Sequence, residues 1–172
     1  MTTDTTESQD NAFTTVIQIF QILTWILCAT LAVNAGSTMH GELMAMDMTT
    51  QSFSGRFNHF SIALLTTLPA ILLAWAMFDM ARFYGRCADG DVFSRRNVKT
   101  LKVASESLFW AAAISAVIAP TVISWLERKP VGILWHTDDL SLGVAAIGVA
   151  LYGFALVLAR AVELKEENDE IV

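Results

Sequence analysis

Side chains that could bind a metal ion are concentrated in one polar stretch, residues 36–58. Met44, Met46 and Met48 alternate with other residues, so an extended chain would place three thioethers on one side, close to His40. Thioethers are soft ligands suited to Cu(I), and imidazole also binds copper. Methionine equally serves as an ordinary filler of flexible apolar surfaces, and no second cluster completes a site. We therefore predict no metal and no cofactor, and keep these four side chains as the metal-ligand candidates.

The four side chains that are charged at neutral pH, on which much catalysis depends, are absent from four long stretches of the chain. Residues 11–39, 57–78, 107–126 and 140–159 contain no Asp, Glu, Lys or Arg. The sequence has no His-Glu zinc motif, no phosphate-binding loop and no nucleophile elbow. The two cysteines, Cys28 and Cys87, lack the His and carboxylate neighbours of a catalytic nucleophile. We predict that the chain is not an enzyme and assign no catalytic or cofactor-binding residue.

The same four uncharged stretches predict how the chain folds. Each is close to or above the roughly 20 residues that a helix needs to cross a hydrocarbon core, where backbone groups must bond within the segment. The composition agrees, because 54% of residues are hydrophobic and only 16% charged. We predict an all-α, four-helix transmembrane bundle. Its domain covers residues 12–162, with helices at about 12–35, 59–86, 95–126 and 140–160, between a disordered acidic tail, 1–11, and an acidic tail, 163–172.

Basic residues predict the orientation of this bundle. Six of them lie in the polar stretch between the second and third apolar runs, residues 79–106, which we call the basic hairpin. Two more, Arg160 and Lys165, follow the fourth run, whereas the opposite loops hold three: Arg56, Arg128 and Lys129. Short loops rich in Lys and Arg stay in the cytoplasm. We predict a multi-pass protein of the bacterial inner (plasma) membrane with both termini cytoplasmic.

Local signals within the basic hairpin predict a tight helical turn. Gly90 supplies the backbone freedom that ends a helix, and Ser94 has the character of an N-cap for the next one. Asp79 and Arg82 are three residues apart, so we expect them to pair on an exposed helix face.

Polar and small side chains predict how the helices pack. In the first helix, Gln18, Gln21, Trp25 and Cys28 share one face, which we expect to contact the bundle through interhelical hydrogen bonds; a ligand path lined by amides is the alternative. In the fourth helix, Gly143, Gly148 and Gly153 are expected to be helix contacts.

Two short motifs resemble a known family. The ending Glu-Leu-Lys-Glu-Glu-Asn at 163–168, within the acidic tail, and Phe93-Ser94-x-x-Asn97 with Leu101 before the third helix resemble a bacterial family of small four-helix integral membrane proteins of unknown function. The resemblance implies that members are often encoded beside small helix-turn-helix regulators of the Xre type. No catalytic activity is established for that family, so the resemblance implies none here.

These observations favour a membrane-anchored regulator or scaffold that binds a small cytoplasmic partner, such as a helix-turn-helix transcription factor. The alternatives are a small oligomeric transporter and a periplasmic copper sensor that uses the polar, Met-rich stretch at residues 36–58, which we call the Met-rich loop. Expected partners are the lipid bilayer, such a DNA-binding regulator and further copies of the chain. Direct binding of nucleic acid is not expected, because the basic hairpin is short and lies against anionic lipid. The partner-binding candidates are Arg82, Arg86, Arg95, Arg96, Lys99, Lys102, Glu163, Glu166 and Glu167.

Overall fold

The computed structural model describes residues 3–45, 53–129, 132–135 and 139–169, with side chains from residue 12 onward. Within these ranges the regular structure is entirely helical: α1 (Thr3–Met44), α2 (Phe53–Ala88), α3 (Arg95–Leu126) and α4 (Asp139–Asp169). All four helices are long and apolar enough to cross a membrane. The predicted all-α fold of four membrane helices is therefore confirmed.

The helices extend beyond the bounds that the sequence predicted. α1 begins at Thr3, within the tail expected to be disordered, and continues to Met44 through part of the stretch expected to be a loop. α2 begins at Phe53, and α4 continues to Asp169 through most of the acidic tail. Once a helix exists, each added residue gains a backbone hydrogen bond without a new nucleation step. The first charged residue thus marks the edge of the lipid and not the end of the helix.

A short π-helix, which was not predicted from the sequence, interrupts α3 at Ile114–Ile118. Pro120 follows it, and proline has no N–H to donate and would clash with the carbonyl four residues earlier in a regular α-helix. The Ala119 N–H donates to the Ile114 carbonyl, five residues back, which is the π-helical spacing. The wider turn lets α3 pass the proline and continue to Leu126.

The chief helix contacts follow the order of the chain, α1 with α2, α2 with α3 and α3 with α4. α3 is the most buried of the four membrane helices, and α1 is the least buried. Aromatic contacts of Phe20 with Tyr84 and of Trp25 with Phe78 show that α1 and α2 are antiparallel. The large apolar side chains exposed on α1 and α4 are those that lipid would cover. The start of α1, the basic hairpin and the end of α4 accordingly share one end of the bundle.

Small residues at seven-residue spacing bring α4 against α3. Ser141, Gly148, Ala155 and Val162 are buried, as expected for a seam of heptads. At Gly148 an added Cβ would come within 3.2 Å of the Ser105 carbonyl oxygen and 3.3 Å of the Leu108 Cβ. The expectation of a close helix contact is thus confirmed at this glycine. It is wrong for Gly143 and Gly153, where a Cβ would meet nothing within 4 Å.

Gly148→Val is expected to destabilise the protein because the valine side chain would force α3 and α4 apart. Overpacking of a close contact typically lowers the free energy of unfolding by about 1–3 kcal/mol. Gly143→Val is the matched control, since it makes the same change on the same helix where nothing lies within 4 Å. Thermal unfolding in detergent, followed by tryptophan fluorescence, measures both. Equal midpoints for the two variants would contradict the packing described here.

Candidate functional site

The turn between α2 and α3 is built from backbone hydrogen bonds that local sequence chemistry selects. Gly90 adopts a φ of 85°, the left-handed conformation that ends many helices. Its N–H donates to the Cys87 carbonyl at 3.1 Å, and the Asp91 N–H donates to the Arg86 carbonyl at 2.9 Å. Ser94 then caps α3, its Oγ accepting from the Asn97 N–H at 3.3 Å. The predicted helix stop and N-cap are both confirmed.

The side-chain amide of Asn97 joins this turn to both helices. Asn97 is fully buried, and its Nδ2 donates to the Asp91 carbonyl and, at 3.3 Å, to the Val92 carbonyl. Its Oδ1 accepts from Arg86 Nη1 at 2.9 Å. The same nitrogen of Arg86 also lies 2.9 Å from Thr100 Oγ1. One carboxamide therefore links two carbonyls of the turn to the last turn of α2.

Asn97 was recognised in the sequence only as a motif position, and this role was not predicted. A signal was present, because Asn97 stands on the side of α3 that also carries Leu101, Ala104 and Leu108, all buried. A polar residue on an otherwise apolar helix face is buried together with its neighbours and needs partners there. What the sequence does not contain is which groups those partners are.

An apolar cluster lies beside this polar network and includes Leu101, the last residue of the motif. Leu101 is fully buried among residues from three helices: Phe83 and Cys87 of α2, Val98 of α3, and Ala155, Leu158 and Val162 of α4. The motif thus combines a cap, a buried amide and an apolar anchor within two turns of α3. Together these groups set the position of α4 at the end of the bundle that carries the basic hairpin, which we call the hairpin end.

Arg86, a partner-binding candidate, is already engaged within the chain by the Asn97 network. Arg82 lies over the Phe78 ring, with its guanidinium carbon 5.6 Å from the ring centroid. Arg96 and Lys99 are exposed, and Lys102 is half-buried. The six basic residues therefore do not form a single patch of equally available charges.

One ion pair connects the basic hairpin to the acidic tail. Arg95 Nη2 and Glu166 Oε2 lie 2.6 Å apart, and Arg95 Nε donates to Glu166 Oε1 at 2.9 Å. Glu163 pairs instead with Arg160 at 2.9 Å, and Glu167 is exposed. The tail reaches the hairpin because α4 simply continues to Asp169.

A cavity of about 180 Å³ lies between α3 and α4 beside this ion pair. Val98, Ala159 and Val162 form its apolar part, and Arg95 and Glu163 its charged part. The volume is below the roughly 300–1,000 Å³ of pockets for drug-sized ligands.

Asp79 was expected to pair with Arg82 on an exposed helix face, but it is buried. Its side chain is 9% exposed. Ala76, three residues before it, and Phe83, four residues after it, are also buried, so all three lie on the helix face that points into the bundle. Within the described ranges, no ion pair joins Asp79 to Arg82, and the carboxylate Oδ2 has no hydrogen-bond partner. The expectation of an exposed pair was wrong.

Of the metal-ligand candidates, Met46 and Met48 lie outside the described residues. His40 and Met44 are exposed, one turn apart near the end of α1, and not on an extended chain. Among the described residues no group of three His, Cys, Asp or Glu side chains is arranged to hold a metal ion.

The polar stripe of α1 contacts α2 at only some of its positions. Gln21 packs over Gly85, where an added Cβ would lie 2.8 Å from the amide Nε2. Cys28 Sγ donates to the Ala74 carbonyl at 3.3 Å, whereas Gln18 is exposed. Trp25 also contacts α2, its ring centroid lying 5.5 Å from that of Phe78. Three of the four positions of the stripe therefore make the expected contact.

Four helices that are long and apolar enough to cross a membrane define a multi-pass membrane protein. The family model of DUF2975, described as a protein of unknown function, matches residues 15–172, and the chain belongs to this family. This confirms the resemblance to a family of small four-helix membrane proteins of unknown function. No curated protein and no solved structure matches the chain.

Asn97→Ala is expected to destabilise the hairpin end, because two carbonyls and the Arg86 guanidinium would lose a partner. A buried polar group left unsatisfied costs about 1–3 kcal/mol, so we expect the free energy of unfolding to fall by about 3 kcal/mol. Lys99→Ala, two residues away and exposed, is the control and should leave stability unchanged. Thermal unfolding in detergent distinguishes them. If the two variants had the same unfolding midpoint, the network around Asn97 would not contribute to stability.

Proposed function

We propose that the chain is a membrane-anchored regulator or scaffold whose hairpin end binds a small cytoplasmic protein. The observation that carries the proposal is the exposed Arg95–Glu166 ion pair beside the cavity between α3 and α4. We further propose that the chain is not an enzyme, since this role requires only a stable bundle and a docking face.

The energetics of the ion pair suit a face that exchanges partners. Exposed ion pairs contribute little to stability, because water and salt screen them. A protein with complementary charges could therefore replace the Arg95–Glu166 contact at little cost. An apolar side chain of that protein would enter the cavity over Val98 and Val162, where apolar burial supplies the affinity.

The resemblance implies the class of partner. A small helix-turn-helix regulator held on this face would be kept at the membrane and away from its promoter. The alternatives, a small oligomeric transporter and a copper sensor built on the Met-rich loop, are supported by no contact among the described residues. A tail that only solubilises the end of α4 is the simpler alternative for Glu163, Glu166 and Glu167.

The proposal requires the hairpin end to be cytoplasmic, as the distribution of Lys and Arg favours. In a chain whose Cys28 and Cys87 are replaced by alanine, Gly132→Cys should react with a membrane-impermeant maleimide in intact cells. Lys99→Cys should react only after the membrane is opened. Both positions are exposed, so accessibility depends on the side of the membrane. The opposite labelling pattern would overturn the orientation.

Deletion of residues 166–172 is expected to weaken binding of a small helix-turn-helix regulator of the Xre type, the partner class that the resemblance implies, by about tenfold or more, the equivalent of roughly 1.4 kcal/mol. The deletion removes Glu166 and the acidic end while leaving the buried part of α4. Binding is measured by titrating the purified regulator onto the full-length protein in lipid nanodiscs. A second variant, Arg128→Ala with Lys129→Ala, alters charge at the other end of the bundle and should bind as the wild type does. The proposal fails if the truncated protein binds equally well, or if the full chain binds no regulator.

A further inference from the structure

A second cavity, of about 190 Å³, lies between α3 and α4 on the membrane-facing surface, away from the proposed docking face. It combines one carboxylate with three aromatic rings, and its lining includes Ser105, Glu106, Phe109, Trp110, Gly148 and Tyr152. Gly148 lets the helices approach closely without placing a side chain in the cavity.

The position of Glu106 places this cavity at the edge of the hydrocarbon. The uncharged run of α3 begins directly after it, at residue 107, and ends at residue 126. A helix rises 1.5 Å per residue, so a run of this length covers about 30 Å, the thickness of a bilayer core. Phe109 and Trp110 lie about one turn deeper, at the level where aromatic residues meet the head groups.

The carboxylate of Glu106 has no partner of its own chain in the described ranges. It is exposed and makes no ion pair there. Lys102, four residues earlier on the same helix, has the right spacing for a pair, but its ammonium is not within 4 Å. A carboxylate without an ion-pair partner at the edge of the lipid attracts a cation from outside the chain.

The aromatic rings determine which cation fits best. The Phe109 and Trp110 rings lie 6.1 Å apart at 76°, so they present differently oriented faces, and Tyr152 adds a ring from α4. Aromatic faces attract alkylammonium groups, and an aromatic cage is how proteins recognise choline and methylated lysine. Glu106 adds the opposite charge. A hydrated metal ion would gain nothing from the rings.

We propose that this cavity binds the ammonium group of an amine-bearing phospholipid. The volume is below that of pockets for drug-sized ligands but accommodates a head group. Phe109, Trp110 and Tyr152 are 50%, 54% and 41% exposed, on a surface that lipid covers, so the acyl chains can continue along the helices. The site would favour lipids with ethanolamine or choline over anionic lipids with glycerol.

The test measures lipid binding to the full chain in detergent by native mass spectrometry. Short-chain phosphatidylethanolamine, phosphatidylcholine and phosphatidylglycerol are titrated separately. We expect at least one amine-bearing lipid to bind about tenfold more tightly than phosphatidylglycerol. Glu106→Gln should weaken that binding by about tenfold, and Trp110→Leu by about threefold, as cation–π attraction at a partly exposed site predicts. Glu167→Gln, which removes an exposed carboxylate far from the cavity, should bind as the wild type does.

Competition with ethanolamine and tetramethylammonium chloride identifies the source of the ammonium group. No competition at millimolar concentration supports a phospholipid, whereas displacement of the lipid shows that a free amine satisfies the same site. The proposal is overturned if phosphatidylglycerol binds the wild type as tightly as the amine-bearing lipids, or if Glu106→Gln matches Glu167→Gln. Should Glu106→Gln fail to fold, Trp110→Leu and the comparison of lipids on the wild type still decide.

Discussion

Asn97 stands where the backbone must leave one helix and enter the next beside a membrane, and its amide satisfies the groups that this turn leaves without partners. Two carbonyls of the turn accept from Nδ2, and Oδ1 accepts from Arg86. Because Arg86 belongs to α2 and Asn97 to α3, the same contacts hold the two helices in register. The position of α3 then decides where α4 packs, and so brings Glu166 to Arg95. The contact between the surface charges Arg95 and Glu166 thus depends on the helix positions that the polar network determines.

The lipid environment explains why the rest of the fold contains few buried polar contacts of this kind among the described residues. Apolar surface gains no hydrophobic stabilisation from contact with another helix when hydrocarbon already covers it, so association depends on close packing. This is why the small residues Ser141, Gly148 and Ala155 recur along the α3–α4 seam, beside the larger buried Leu158 and Val162 near the hairpin. It also explains why α1, which packs chiefly on α2, leaves most of its apolar side chains on the outside.

The sequence was sufficient for features that depend on local chemistry, and insufficient for those that depend on a neighbouring helix. The number of helices follows from uncharged length, and the turn follows from Gly90 and Ser94, whose roles involve residues only a few positions away. The partners of Asn97 and the burial of Asp79 depend on how α2 lies against the rest of the bundle, which no local pattern contains. The π-helix before Pro120 is a feature of a third kind. The sequence shows that the proline is there, but it does not show whether the helix bends, breaks or widens to accommodate it.

The basic residues of the hairpin illustrate why charge in a sequence overstates the charge available to a partner. Arg86 is engaged by Asn97 and Thr100, Arg82 lies over Phe78, and Arg95 holds Glu166. Arg96 and Lys99 are exposed and make no ion pair within the described ranges. The rule that relates Lys and Arg to orientation in the membrane counts all of these charges, whatever their contacts in the folded protein. Under the proposed function, recognition of a partner would depend on the smaller set that remains exposed, together with the Arg95–Glu166 pair that a partner could displace. The number of basic residues in the hairpin is therefore larger than the number of charges that the folded protein leaves exposed and unpaired among the described residues.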